Sequence, residues 1–113
     1  MKGLVIKSPY IDLILNGKKK WEIRGSNTNI RGRIALIKSG SGKIFGEVEL
    51  VDCFEITLNQ YNEYCEELYG KKEDLLPYKK TYAWVVCNPV IYEEPKSYKH
   101  PLGAVIWVNL DKI

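Results

Sequence analysis

Gly17-Lys18-Lys19-Lys20-Trp21-Glu22-Ile23-Arg24 packs three lysines, a glutamate and an arginine into eight residues. Leu13, Ile14 and Leu15 precede it, and Asn16-Gly17 is a helix-stop signal, because glycine accepts the left-handed backbone of a C-cap. Trp21 and Ile23 favour a strand, in which side chains alternate between faces. The alternation puts Glu22 and Arg24 on one face, about 7 Å apart along the strand, and Trp21 and Ile23 on the other. Lys19, in the turn, reaches over the charged face. A carboxylate between two cations at a helix-to-strand corner reads as an anion site, in competition with an ordinary solvated turn and a surface ion pair of little energetic weight.

Outward from this corner the chain reads as short elements. Leu4-Val5-Ile6 is a buried strand; Ser8-Pro9 opens a helix by a hydroxyl cap and a proline in the first turn. Tyr10, Ile11, Ile14 and Leu15 share a helical face, and the helix ends at Gly17. Gly25 to Asn29 is a polar loop. Arg33 to Lys38 is a strand apolar enough for burial on both faces; Ser39-Gly40-Ser41-Gly42 is a hairpin turn, and Lys43 to Val51 returns with Gly46 marking a bulge or barrel corner. As a phosphate cradle the Ser39 turn lacks the Gly-Lys-Ser/Thr ending and the following helix of a P-loop. Thr57 and Gln60 form a capping box for a helix over 58–69, with Leu58, Tyr61, Cys65 and Leu68 on its apolar face and Gly70 at its end. Tyr61 and Tyr64 read as core and rim. Leu75-Leu76-Pro77 reads as a hydrophobic anchor, Tyr82 to Cys87 as a strand, Asn88-Pro89 as a turn, residues 93–101 as a loop, and Ala104 to Val108 as the final strand. Five or six strands, two helices and short connections predict a small α+β barrel.

The central motif fits Gly-x-Lys-x-x-Glu-x-Arg through Gly17, Lys19, Glu22 and Arg24, and so resembles the ASCH (activating signal cointegrator homology) domain family. Ser8-Pro9-Tyr10, Arg31-Gly32, Tyr82-Ala83-Trp84 and the run from His100 to Trp107 resemble further landmarks of small ASCH proteins, so the likeness spans about Lys2 to Leu110. It implies a PUA-like β-barrel with two flanking helices, formed by a single domain over residues 1–113.

With 45% hydrophobic and 27% charged residues the composition is that of an ordinary globular domain. No apolar run is long enough to span a bilayer, and the N-terminus does not read as a signal peptide. Cys53, Cys65 and Cys87 are odd in number, form no close pair, and suit a reducing cytoplasm. Charge is uneven along the chain. Residues 1–46 hold ten Lys/Arg against Asp12 and Glu22, a net of +8, whereas residues 47–113 hold seven against twelve Asp/Glu, a net of −5. A polyanion-binding face requires such a concentration of positive charge.

These readings converge on an RNA- or nucleotide-binding protein, with single-stranded RNA or a nucleotide as partner and no cofactor or metal. Lys19 and Arg24 supply positive charge, Arg24 through a fork suited to phosphate oxygens. Glu22 orients the cations, binds a metal or acts as a base. Ser39 is a further ligand contact. Tyr10, Tyr82 and Trp84 are candidates to stack a base, against the alternative of core packing. Lys7, Lys18 and Lys20 are peripheral phosphate contacts. Hydrolysis is the alternative, with Lys19 and Glu22 as the catalytic pair. The resemblance implies two forms of it, metal-assisted RNA cleavage and, ranked lower, acetylcytidine amide hydrolysis. In the second a threonine follows the motif lysine by three residues, where this chain carries Glu22. His100, the single histidine, reads as pinning a loop. A protein-interaction module using Glu63, Glu66 and Glu67 is the last alternative.

Overall fold

The computed structural model describes residues 1–112. Its elements are β1 (Lys2–Ile6), α1 (Tyr10–Leu15), β2 (Trp21–Arg24), β3 (Gly32–Lys38), β4 (Lys43–Glu55), α2 (Leu58–Tyr69), β5 (Tyr82–Ser97), β6 (Trp107–Asn109) and a closing 3₁₀ turn (Leu110–Lys112). The six strands form one sheet in the order β2-β5-β4-β3-β1-β6. Among the described residues only β1 and β3 run parallel, the connection between them carrying α1 and β2. The indole rings of Trp84 on β5 and Trp107 on β6 stack at 5.8 Å. Those strands are second and last in the order, so the sheet must curl, giving a six-stranded half-barrel with two helices.

β3 explains the curl. Its Ile34 and Leu36 pack inward with Leu4, Ile11, Ile14, Val48, Leu50 and Trp84. Its Ala35 and Ile37 pack on the opposite side with Ile44 and Val108. Both faces of β3 are buried, as its unbroken apolar run requires. α1 presents Ile11, Ile14 and Leu15 to the inner cluster. Tyr10 leaves that face, with 43% of its surface exposed. Gly17 has a φ of +82° just past the helix end. Gly46 packs so closely that a Cβ there would lie 2.3 Å from the Val90 carbonyl oxygen and 2.7 Å from Leu15 Cδ2. Strand pairing shifts register on both sides of it. The capping box forms on α2: Gln60 N–H donates to Thr57 Oγ1 at 3.2 Å and Thr57 N–H to Gln60 Oε1 at 2.8 Å. Gly70 caps the far end at φ +73°.

Four local expectations are corrected. Ser8 does not cap α1; Pro9 holds the N-cap position, and the Ser8 hydroxyl donates to Asp12. Asn88-Pro89 does not end a strand. Glu47 pairs with Val90 and Glu49 with Cys87, so both residues sit in a bulge opposite Val48, and β5 continues to Ser97. A bulge leaves the proline no ladder bond to donate, which is why the sheet tolerates it. Leu75 is no anchor, at 79% exposed. The last strand begins at Trp107, leaving Val105 and Ile106 exposed. His100 does pin the preceding loop: Nε2 donates to the Ala104 carbonyl and Nδ1 accepts from the Tyr98 hydroxyl, each at 2.6 Å. Among the described residues no helix is long and apolar enough to cross a membrane.

Candidate functional site

β2 lies at one edge of the sheet, paired to β5 so that Glu22 stands opposite Trp84 and Arg24 opposite Tyr82. The turn leading into it is fixed from both sides. The Lys19 amide donates to the Leu13 carbonyl, and the Lys20 carbonyl accepts from the Val86 amide, each at 2.9 Å. Strand alternation then sends Glu22 and Arg24 to the same side. Arg24 Nε and Nη2 both reach Glu22 Oε2 at 2.8 Å, and Nη2 also donates to the Val5 carbonyl at 2.8 Å. The Nε–Nη2 edge of the guanidinium is therefore engaged by Glu22 and the Val5 carbonyl. Glu22 Oε1 is left with Lys19 Nζ at 3.8 Å, too long for a hydrogen bond.

Lys19 and Glu22 are 4% and 6% exposed, a degree of burial that charged side chains tolerate only when paired. Lys19 Nζ donates to the Tyr64 hydroxyl at 2.6 Å, which in turn donates to the Trp21 carbonyl at 3.0 Å. The ammonium also sits 5.6 Å from the centre of the Tyr10 ring, within cation–π range. Burial lowers the Lys19 pKa to about 8, against the opposing pull of the Glu22 carboxylate. The Tyr64 phenol shifts the other way, raised by burial and then by Tyr69. It therefore stays neutral as both acceptor and donor. Trp21 stacks on Tyr64 at 5.3 Å and meets Phe54 edge-on, so α2 is locked against β2 through aromatic contacts.

These groups border a cleft of about 390 Å³. Of the residues expected from the sequence, Lys7, Tyr10, Lys19, Glu22, Arg24 and Ser39 line it together. The others lie elsewhere. Trp84 is 2% exposed, its indole N–H donates to the Ser26 carbonyl at 2.8 Å, and Trp107 stacks on its ring. No face remains for a base; instead the indole supports Arg24, whose guanidinium carbon lies 5.6 Å from the ring centre. Tyr82 packs half-buried against the core and does not line the cleft. Lys18 is exposed outside it, and Lys20 borders a separate crevice of about 280 Å³ with Ile14, Val48 and Val86.

The sequence reading missed four lining tyrosines: Tyr61, Tyr64, Tyr69 and Tyr78. With Tyr10, five of the eight tyrosines border one cavity. The available signal was the excess of eight tyrosines over two phenylalanines, which favours hydroxyl-bearing rings. Tyr61, raised by burial and by its Cys65 contact, and Tyr69, raised by burial, remain protonated across the neutral range. The walls are thus flat and uncharged, with a cation, a carboxylate and a tied guanidinium among them. Among the described residues no group of three His, Cys, Asp or Glu is placed to hold a metal ion.

The ASCH domain family matches residues 4–97 of the chain. The structure is similar to the crystal structure of ASCH from Zymomonas mobilis, with a TM-score of 0.64 at 15% identity over 85% of this chain and 72% of that one. Two single-substitution variants of the Zymomonas mobilis protein give TM-scores of 0.59 and 0.60 at 16% and 14% identity. The first covers 85% of this chain and 74% of its own; the second covers 95% and 85%. At this identity the likeness is one of fold. No curated protein matches the sequence.

Proposed function

The chain belongs to the ASCH domain family, and from that premise we propose that it binds single-stranded RNA or a nucleotide in the cleft beside Lys19, Glu22 and Arg24. Family membership suggests nucleic-acid binding; the observation that carries the finer reading is the tyrosine-walled cavity itself. Its 390 Å³ lies at the small end of ligand pockets and accommodates one base. Base-on-tyrosine stacking is the sequence-tolerant contact of single-strand recognition. Electrostatics favour the base over the phosphate for the buried end. A phosphate beside Glu22 would meet a carboxylate, lose its hydration and find the Nε–Nη2 edge of Arg24 already taken. Lys7 lines the same cleft and is exposed, so the phosphate is served from the rim.

Fluorescence anisotropy with a short single-stranded RNA at two salt concentrations tests this. Wild type is compared with Tyr10→Ala, Lys7→Ala and Lys19→Ala/Arg24→Ala. The expected result is salt-sensitive binding, weakened by each change, with the RNA intact on a gel afterwards. Absence of RNA binding by the folded wild-type protein would sink the RNA reading, and absence of binding to a nucleoside monophosphate as well would sink the nucleotide reading with it.

One observation favours hydrolysis as the second reading: Lys19, with its pKa near 8, is poised to exchange a proton close to neutral pH. Glu22 occupies the position at which the amidohydrolase precedent carries its hydroxyl nucleophile, and Ser39 is the hydroxyl that the fold adds to the same cleft. Shortened RNA or deacetylated acetylcytidine, produced by wild type and lost in Lys19→Ala and Glu22→Gln with the fold intact, would move the protein to this class.

A further inference from the structure

The turn that leads into β5 carries features that no cleft contact yet explains. Thr81 is fully buried, at 0% exposure. Its Oγ1 accepts from the Tyr78 amide at 3.3 Å and donates to the Tyr78 carbonyl at 2.9 Å, closing Tyr78-Lys79-Lys80-Thr81 on itself. The Thr81 carbonyl accepts from the Ile56 amide, which fixes the turn to the end of β4. The Tyr78 ring lies on Gly25 so closely that a Cβ there would stand 2.8 Å from its Cδ1. Its position is thus set from both ends, yet 45% of Tyr78 is exposed and the residue lines the cleft. Lys79 and Lys80 are exposed, and no ion pair among the described residues includes either.

We propose that this turn is a pre-organised clamp for single-stranded nucleic acid, with Tyr78 stacking on the base in the cleft and Lys79 and Lys80 holding phosphates of the same strand. The proposal rests on the cleft binding a nucleotide, and it narrows the ligand to a strand. Lys7 lines the cavity from just past the end of β1, and Lys79 and Lys80 follow directly on Tyr78, which lines it from the turn before β5, so exposed cations stand on two separate elements that border or adjoin the cavity. A free nucleoside has no phosphate to meet them, and a mononucleotide has one. An aromatic face fixed beside unpaired cations is the combination by which single strands are held without sequence preference. Because the turn is already ordered, little conformational entropy is lost when the strand binds.

The test uses two probes, a labelled single-stranded RNA decanucleotide and a nucleoside 5′-monophosphate, each titrated over a salt series. Removing both cations in Lys79→Ala/Lys80→Ala, at exposed positions, is expected to lower the slope of log K against log salt for the decanucleotide by about 1.4, at about 0.7 per phosphate contact on a single strand. Monophosphate affinity should change less than twofold. Gly25→Ala, which displaces the Tyr78 ring, should weaken both probes and leave the slope as it was, with folding followed by thermal melting. Decanucleotide binding with an unchanged slope in the double variant overturns the clamp while the cleft reading stands. Monophosphate binding by wild type without decanucleotide binding likewise overturns the clamp alone, and binding of neither probe overturns both.

Discussion

Replacing Lys19 by methionine should make the protein more stable and less able to bind. The ammonium is 4% exposed and makes one hydrogen bond, to Tyr64, with Glu22 at 3.8 Å. The fall of its pKa from 10.5 to about 8 corresponds to a penalty on the folded, charged form of about 3 kcal/mol, at about 1.4 kcal/mol per tenfold change. Lys19→Met removes that penalty and forfeits the Tyr64 hydrogen bond, which contributes about 1 kcal/mol. The net gain near pH 6.5 is then about 2 kcal/mol, a rise in Tm of roughly 6–10 °C for a domain of this size. The pH dependence is diagnostic. Between about 8 and 10.5 the unfolded chain holds the lysine proton and the folded chain does not, so wild-type stability climbs with pH across that window. The advantage of the variant is complete below pH 8, shrinks through the window and reverses at its top. Differential scanning calorimetry of both proteins at matched pH values isolates the difference. A variant no more stable than wild type at pH 6.5, or a difference flat in pH, would refute the reasoning.

Arg24→Ala leaves Glu22 buried without its fork and should cost about 3–5 kcal/mol, read by urea denaturation; a loss under 1 kcal/mol would show Glu22 reaching water. Gly46→Ala forces a methyl onto the Val90 carbonyl and Leu15, costing roughly 3 kcal/mol, measured as a lower denaturation midpoint. The Glu47 carboxyl is held below its ordinary range first by the Tyr92 hydroxyl, whose own pKa burial raises to about 12. Glu47 therefore contributes stability above the unfolded carboxylate range and loses it as pH falls through the folded value. Tyr92→Phe should flatten the acid limb of the stability profile, and an unaltered limb would count against the bond.

The corner from Gly17 to Arg24 was legible because all of its logic is local: a helix stop, a short turn and strand alternation placed Lys19, Glu22 and Arg24 together. The capping box at Thr57 was legible for the same reason. What alternation could not tell was which face of β5 meets the interior, and Trp84 therefore looked as available as Tyr10. Tyr64 shows the limit of helical periodicity. Periodicity identifies a face but not what that face meets, and here the partner is Trp21, more than forty residues earlier. Asn88-Pro89 carried a genuine turn signal that β5 absorbs as a bulge. Arg24 was placed correctly, but the Nε–Nη2 edge of its fork was engaged, because the distance to Glu22 depends on rotamers that spacing does not specify.

β1 sits between β3 and β6, so Lys2 pairs with Asn109 and the terminal amine meets Asp111. Joining those ends confines a loop of roughly 105 residues, a closure entropy on the order of 4 kcal/mol from the logarithmic term alone. The half-barrel therefore assembles against a high contact order, and a folding time in milliseconds to seconds is the natural regime. β6 follows the other five strands in the chain, so the Trp84–Trp107 stack can form only after they have been synthesised. The Trp84–Trp107 stack thus provides a fluorescence reporter for the final step of folding.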